Sequence, residues 1–198
     1  IIVTMVLTSV LLQTLLEFGP LWMVAIAAPA LLYGPQWAGL TSAFGLGAAL
    51  AGRLRFTQPA TLATVVGLML SFSLVLTVSH SAAVLIIAQV GLAIVIVAVS
   101  TFLTGRLHDC VPSTIRAGVS SGVGTLTWIV FLPFALGFGA VSDRAGVHAA
   151  GWTIVAVAAL TSTALIKLAV AHRARPVLCA PAEHGAPGAL VALAATGR

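Results

Sequence analysis

Charged residues are missing from long stretches of this chain, and the places where they return set its architecture. Between Phe56 and Gly105 there is no Asp, Glu, Lys or Arg, and from Ile1 to Leu32 the only one is Glu17. Crossing a bilayer takes roughly 20 consecutive apolar residues in a helix, because unpaired backbone is not tolerated in lipid. Read this way, the pattern predicts six spans, at about residues 1–32, 37–52, 59–78, 82–104, 117–141 and 149–171. Gly34-Pro35 marks the first turn, Arg53 and Arg55 close the second span, and Ser79-His80-Ser81 divides the charge-free stretch into the third and fourth. Pro, Ala and Gly dominate after Arg175, which predicts a disordered cytoplasmic tail over 176–198 and leaves 1–175 as the bundle.

Composition then removes the soluble classes. Charged residues make up 7% of the chain and apolar residues 60%, against about 25% charged in a soluble domain, so there is no polar coat for a water-exposed surface. The expected solvent and first partner is the lipid bilayer. A net charge of +5 does not indicate nucleic acid, because the cations are scattered rather than gathered on a phosphate-binding face. It reads as topology instead. Arg53, Arg55, Arg106, Arg116, Lys167, Arg173, Arg175 and Arg198 fall on one side of a six-span arrangement and Arg144, next to Asp143, on the other. By the positive-inside rule the crowded side, with the C-terminus, is cytoplasmic, and the expected location is the plasma (inner) membrane. Cys110 and Cys179 have neither metal-ligand spacing nor a paired framework and are expected as free thiols. The chain opens at Ile1 within an apolar run, which leads to the expectation that part of it lies upstream.

Several segments carry a resemblance. Trp37-Ala-Gly-Leu, Gly45-x-Gly47 and Ala51-Gly52-Arg53-Leu54-Arg55 resemble the eighth helix of major facilitator superfamily transporters and the reduced second copy of their cytoplasmic Gly- and Arg-rich loop. Val111-Pro-Ser-Thr-Ile-Arg116-Ala-Gly118 and Gly139-Ala-Val-Ser-Asp143-Arg144-Ala-Gly146 are similar to the loop before the eleventh helix and to the last outward turn of that family. The resemblance covers about Ile1 to Ala171 and implies an all-α integral membrane fold, the C-terminal six-helix half of the family. It further implies a small-molecule substrate, a cavity lined by the first and fourth helices, and a missing N-terminal six-helix half as partner.

Candidate chemistry is sparse. Glu17 is the one acid within a span, with Gln13 a turn earlier on the same face. An ionised carboxylate at that depth costs at least about 2.5 kcal/mol, so it must face water, meet a cation or hold a proton, which suits proton-coupled transport. Gln89, Gln13 and Thr14 are further cavity candidates, with helix-to-helix hydrogen bonding as the alternative role. Arg106, Asp109 and Arg116, with His108, are expected in one cytoplasmic loop, as a gate or as topology, and Arg53 and Arg55 in another, between the second and third spans. Gly45 and Gly47 on the second span and Gly118 and Gly122 on the fifth offer small-residue faces, through which both spans are expected to pack tightly. His80 and His148 fall in or near outer loops and receive no role. Gly118-x-Ser120-x-Gly122 fits a nucleophile-elbow pattern, but it opens a transmembrane helix with no strand before it, so no catalysis, cofactor or metal is expected. The resulting expectation is a secondary transporter, proton-coupled and efflux-type. A non-transporting assembly or regulatory module, or a half-size transporter working with a second copy, is the alternative.

Overall fold

The structure, a computed structural model, describes residues 1–56 and 58–174; the expected tail at 176–198 lies outside them. Six long helices follow one another: α1 (Ile2–Ala25), α2 (Tyr33–Ala51), α3 (Pro59–Val78), α4 (Ala82–Cys110), α5 (Arg116–Ala145) and α6 (Val147–Ala174). Among the described residues there is no strand. Five of the helices, all but α2, are long and apolar enough to cross a membrane. The chain is thus an all-helical protein of membrane type, with five candidate spans among the described residues. The shortfall in α2 comes from Pro35, Gln36, Thr41, Ser42 and its glycines, which dilute the hydropathy of a helix that is still 19 residues long.

Helix ends depart from the sequence pattern for local reasons. α1 runs unbroken through Pro20 and stops at Ala25, well short of Leu32. The turn comes at Ala27, which takes a positive φ of 51°, ahead of Pro29, whose ring disfavours helix in the residue before it. Gly34-Pro35, expected as the turn, lies in the first turn of α2, where the N–H that proline lacks would have no intrahelical acceptor anyway. α4 extends to Cys110 and is 29 residues long, about 44 Å. Arg106, His108 and Asp109 are therefore on its last turns and not in a loop, because a bilayer with its headgroup layers is about as thick and accepts charges at helix ends. α5 and α6 are joined by Gly146 alone, at φ 84°, a conformation that a residue with a Cβ rarely takes. Cys110 is not a free thiol, which corrects that expectation; Cys179 lies outside the described residues.

The principal helix pairings form two layers. A front row runs α2–α4–α1–α5, and α3 and α6 lie side by side behind its middle pair. Exchanging the first three helices with the last three maps this pattern onto itself. The α2–α4 pairing becomes α5–α1, α3–α4 becomes α6–α1, and α1–α4 and α3–α6 each become themselves. The first three helices and the last three thus occupy equivalent places in the pattern of pairings. One pairing breaks the relation. α5 lies against α6, whereas between α2, α3 and α4 there is an apolar groove of about 410 Å³ lined by Leu50, Leu54, Thr61, Thr64, Leu68 and Val95.

Burial follows position in these layers. Of the five apolar helices α4 is the most enclosed and α5 the least, with 56% and 22% of their most apolar stretches buried, so α4 is the core of the bundle and α5 an open edge. α2 buries one narrow stripe, Gln36, Leu40, Ala43 and Gly47, and α5 another, Val123, Thr127, Phe131 and Phe138. The rest of their circumference is mostly small and apolar, with exposed Thr41 and Ser42 on α2 and Ser121 and Thr125 on α5.

Candidate functional site

The acid of α1 lies on the open side of the front row. α1 is flanked by α4 and α5 and backed by α6, and on the side left over Glu17 is exposed while Gln13 and Ser9 are half-buried. These three, spaced four residues apart, form a single polar stripe down the helix. Pro20 lies one turn beyond and has no N–H, so the carbonyl of Leu16 loses its usual intrahelical donor beside Glu17. An acid, an amide, a hydroxyl and a freed carbonyl thus gather on one face. Thr14, also a candidate, is elsewhere: it is fully buried and donates to the carbonyl of Val10 at 2.7 Å.

Gln89 lies in the interior, completely buried, and does not line the open face. Its Nε2 donates to the carbonyl of Gly19 at 3.0 Å, and its Oε1 accepts from Nε2 of Gln36 at 2.6 Å. The chain of bonds fixes both amides. A carbonyl only accepts, so Gln89 must present its NH2 to Gly19 and its oxygen to Gln36, which must present NH2 in turn. Gln36 Oε1 is then left buried without a partner. This junction of α1, α2 and α4 is tight, because a Cβ on Gly19 would lie 3.4 Å from Gln89 Oε1. Gln36 was not singled out from the sequence, although it is one of the few amides in a helix and that was the available signal.

The same end of the bundle holds three ring donors on the last carbonyls of α3. The helix stops at Val78, so its final carbonyls lack intrahelical partners. Trp22 Nε1 donates to the carbonyl of Leu76 at 2.7 Å, His80 Nδ1 faces that of Val78 at 3.2 Å, and His148 Nε2 faces that of Ser79 at 2.8 Å. His80 and His148 also stack, with centroids 4.5 Å apart and planes 10° from parallel. Neither spacing nor periodicity in the sequence links these two histidines. A metal ion binds in the plane of an imidazole, and two nearly parallel rings share no such point. Among the described residues no three His, Cys, Asp or Glu side chains gather as a metal site.

At the opposite end Arg116 acts as a cap. Its Nη2 donates to the carbonyls of His108 at 2.8 Å and Val111 at 3.3 Å, holding the end of α4 where the helix dipole is negative. Its Nε is buried without a partner. Arg106 lies 5.8 Å above the ring of Phe102, which stacks on Phe56 at 4.5 Å and so ties the α2–α3 connection to α4. Asp109, Arg53 and Arg55 are exposed. Arg106, Asp109 and Arg116 share the end of one helix pair, and Arg116 is bonded there to main-chain carbonyls.

The glycines sort differently from expectation. A Cβ on Gly45, Gly118 or Gly122 would meet nothing within 4 Å, so these three face open space. Close approach is made by Gly39 and Gly47 of α2, whose Cβ would come within 2.6 Å of Val90 and 2.7 Å of Val97 on α4. Small residues allow approach without naming a partner, and α5 is held through aromatic rings instead. Phe138 lies 4.6 Å from Phe18 and 5.8 Å from Trp22.

Compared with known proteins, the chain matches no family model, no curated protein and no solved structure.

Proposed function

We propose that this chain is the membrane-embedded bundle of a secondary transporter of the major facilitator type, moving a small molecule with Glu17 as its exchangeable proton and substrate site. The observation that carries this reading is the packing of two three-helix units related by exchange, the arrangement from which alternating-access carriers are built. The open face of α1 adds the chemistry. A carboxylate that faces away from the bundle interior is unstable against lipid, so a partner bundle, either a second six-helix half or a second copy, covers the front row and encloses a cavity there. In this arrangement α2 crosses the membrane as a sixth span along α4, and the Arg53, Arg55, Arg106 and Arg116 end is cytoplasmic by the positive-inside rule. The membrane is the plasma (inner) membrane. A lone acid among apolar groups suits a lipophilic cation, exported in exchange for protons.

The test is proton-driven uptake of ethidium into inverted membrane vesicles carrying the protein, compared with Glu17→Gln and Glu17→Asp. The expected outcome is loss of at least about 90% of uptake in Glu17→Gln at equal protein abundance, with part retained in Glu17→Asp. Equal uptake in the wild type and Glu17→Gln removes Glu17 from the mechanism. Absence of uptake from an inserted wild type favours the non-transporting module.

A further inference from the structure

His80 and His148 come from connections far apart in sequence, and each is committed to one tautomer. The atoms they face, the carbonyls of Val78 and Ser79, only accept, so His80 carries its proton on Nδ1 and His148 on Nε2. His80 Nε2 and His148 Nδ1 are then the sites left to bind a second proton. A single added proton leaves both carbonyl bonds in place and sets one imidazolium over one neutral ring. A second would set two cations face to face across the 4.5 Å separation of the rings.

His80 follows the C-terminus of α3, and His148 is the second residue of α6. Other charge near the pair is limited. α3 has no ionisable side chain, the first on α4 is Arg106 at the far end, and Lys167 of α6 is also distant. The last turn of α5 adds Asp143 and Arg144, of opposite sign and both exposed, α2 begins with Tyr33, and α1 has only Glu17, on its exposed face.

We infer that the stacked pair is a proton-operated clasp. It holds the α3–α4 turn against the start of α6 while at most one ring is charged, and releases it when both are. It joins the last helices of the two three-helix units, so acidification on that side of the membrane would loosen α3 from α6 there. The inference stands on the ring geometry and does not depend on the transport reading.

The experiment is a titration of ring 15N signals in the full chain, held in lipid nanodiscs and labelled at histidine, from pH 8.5 to 4.5. Hydrogen exchange at Ser81 to Leu85, corrected for its intrinsic pH dependence, is followed alongside. In the wild type the two rings are expected to take up protons in separate steps, the second needing at least about tenfold more acid, and exchange rises at least about tenfold with the second step. In His80→Gln and in His148→Gln the remaining ring titrates in one step and the rise in exchange disappears. Independent titration of the two rings in the wild type overturns the clasp, as does an exchange rise that persists in both variants. The wild-type titration alone decides the matter should either variant fail to fold.

Discussion

α2 and α5 occupy equivalent places at the two edges of the front row, yet they are sealed in opposite ways. α2 meets α4 through glycines, with Gly39 and Gly47 allowing the side chains of Val90 and Val97 to reach its backbone. α5 meets α1 through Phe131, Phe134 and Phe138 and turns its own glycines outward. The lesson is that a small-residue stripe marks where a helix can be approached and does not say by what. On α2 the approach is made within the chain. On α5 it is left open.

The sharpest way to break this comparison is to fill one glycine on each edge. Gly47→Leu drives a Cβ to within 2.8 Å of the carbonyl of Ile94, which is backbone and cannot move aside, so a loss of about 3 kcal/mol or more is expected. Gly122→Leu adds a side chain into open space and should stay within about 0.5 kcal/mol of wild type. Thermal unfolding in nanodiscs reads both, and equal losses would collapse the distinction between the edges. A similar contrast lies within α5. Phe138→Ala should cost about 3 kcal/mol, as for a large buried ring, whereas Leu136→Ala, at a position 77% exposed, should cost under about 0.5 kcal/mol.

The smallest effect sharpens the picture at the junction of α1, α2 and α4. Gln89→Leu leaves Gln36 buried with no partner and should cost about 1 kcal/mol, the usual scale of an interhelical hydrogen bond in a membrane. The double variant Gln36→Leu with Gln89→Leu removes the stranded amide as well and should be more stable than Gln89→Leu alone. A double variant that is the less stable of the two would show that the pair contributes more than it costs to bury.

Much of the candidate site was legible because intramembrane polar residues are rare. Glu17 and Gln13 stand out in an apolar run, their four-residue spacing gives them one face on any helix, and the structure leaves that face open. Gln89 stands out equally, but whether an amide lines a cavity or bonds to a neighbouring helix depends on what lies opposite, and Gln36 lies there. Arg116 is visible as a charge at a helix end. Its role as a cap on α4 required knowing that α4 continues to Cys110 and brings its last carbonyls within reach.

By itself the sequence determined the solvent and the class of element, since a chain with so few charges and such long apolar runs can satisfy its backbone in lipid only as helices. The places of the turns were mostly set there too, by Pro, Gly and clustered polar residues. Tertiary structure alone decided which helix meets which. Apart from the stripe on α1 these helices are largely apolar all round, and without a water-facing side to orient them the sequence has little periodic signal for a partner. The pairing of α2 with α4, the outward turn of the α5 glycines and the meeting of His80 with His148 all arise from shape and hydrogen bonding between segments distant in the chain.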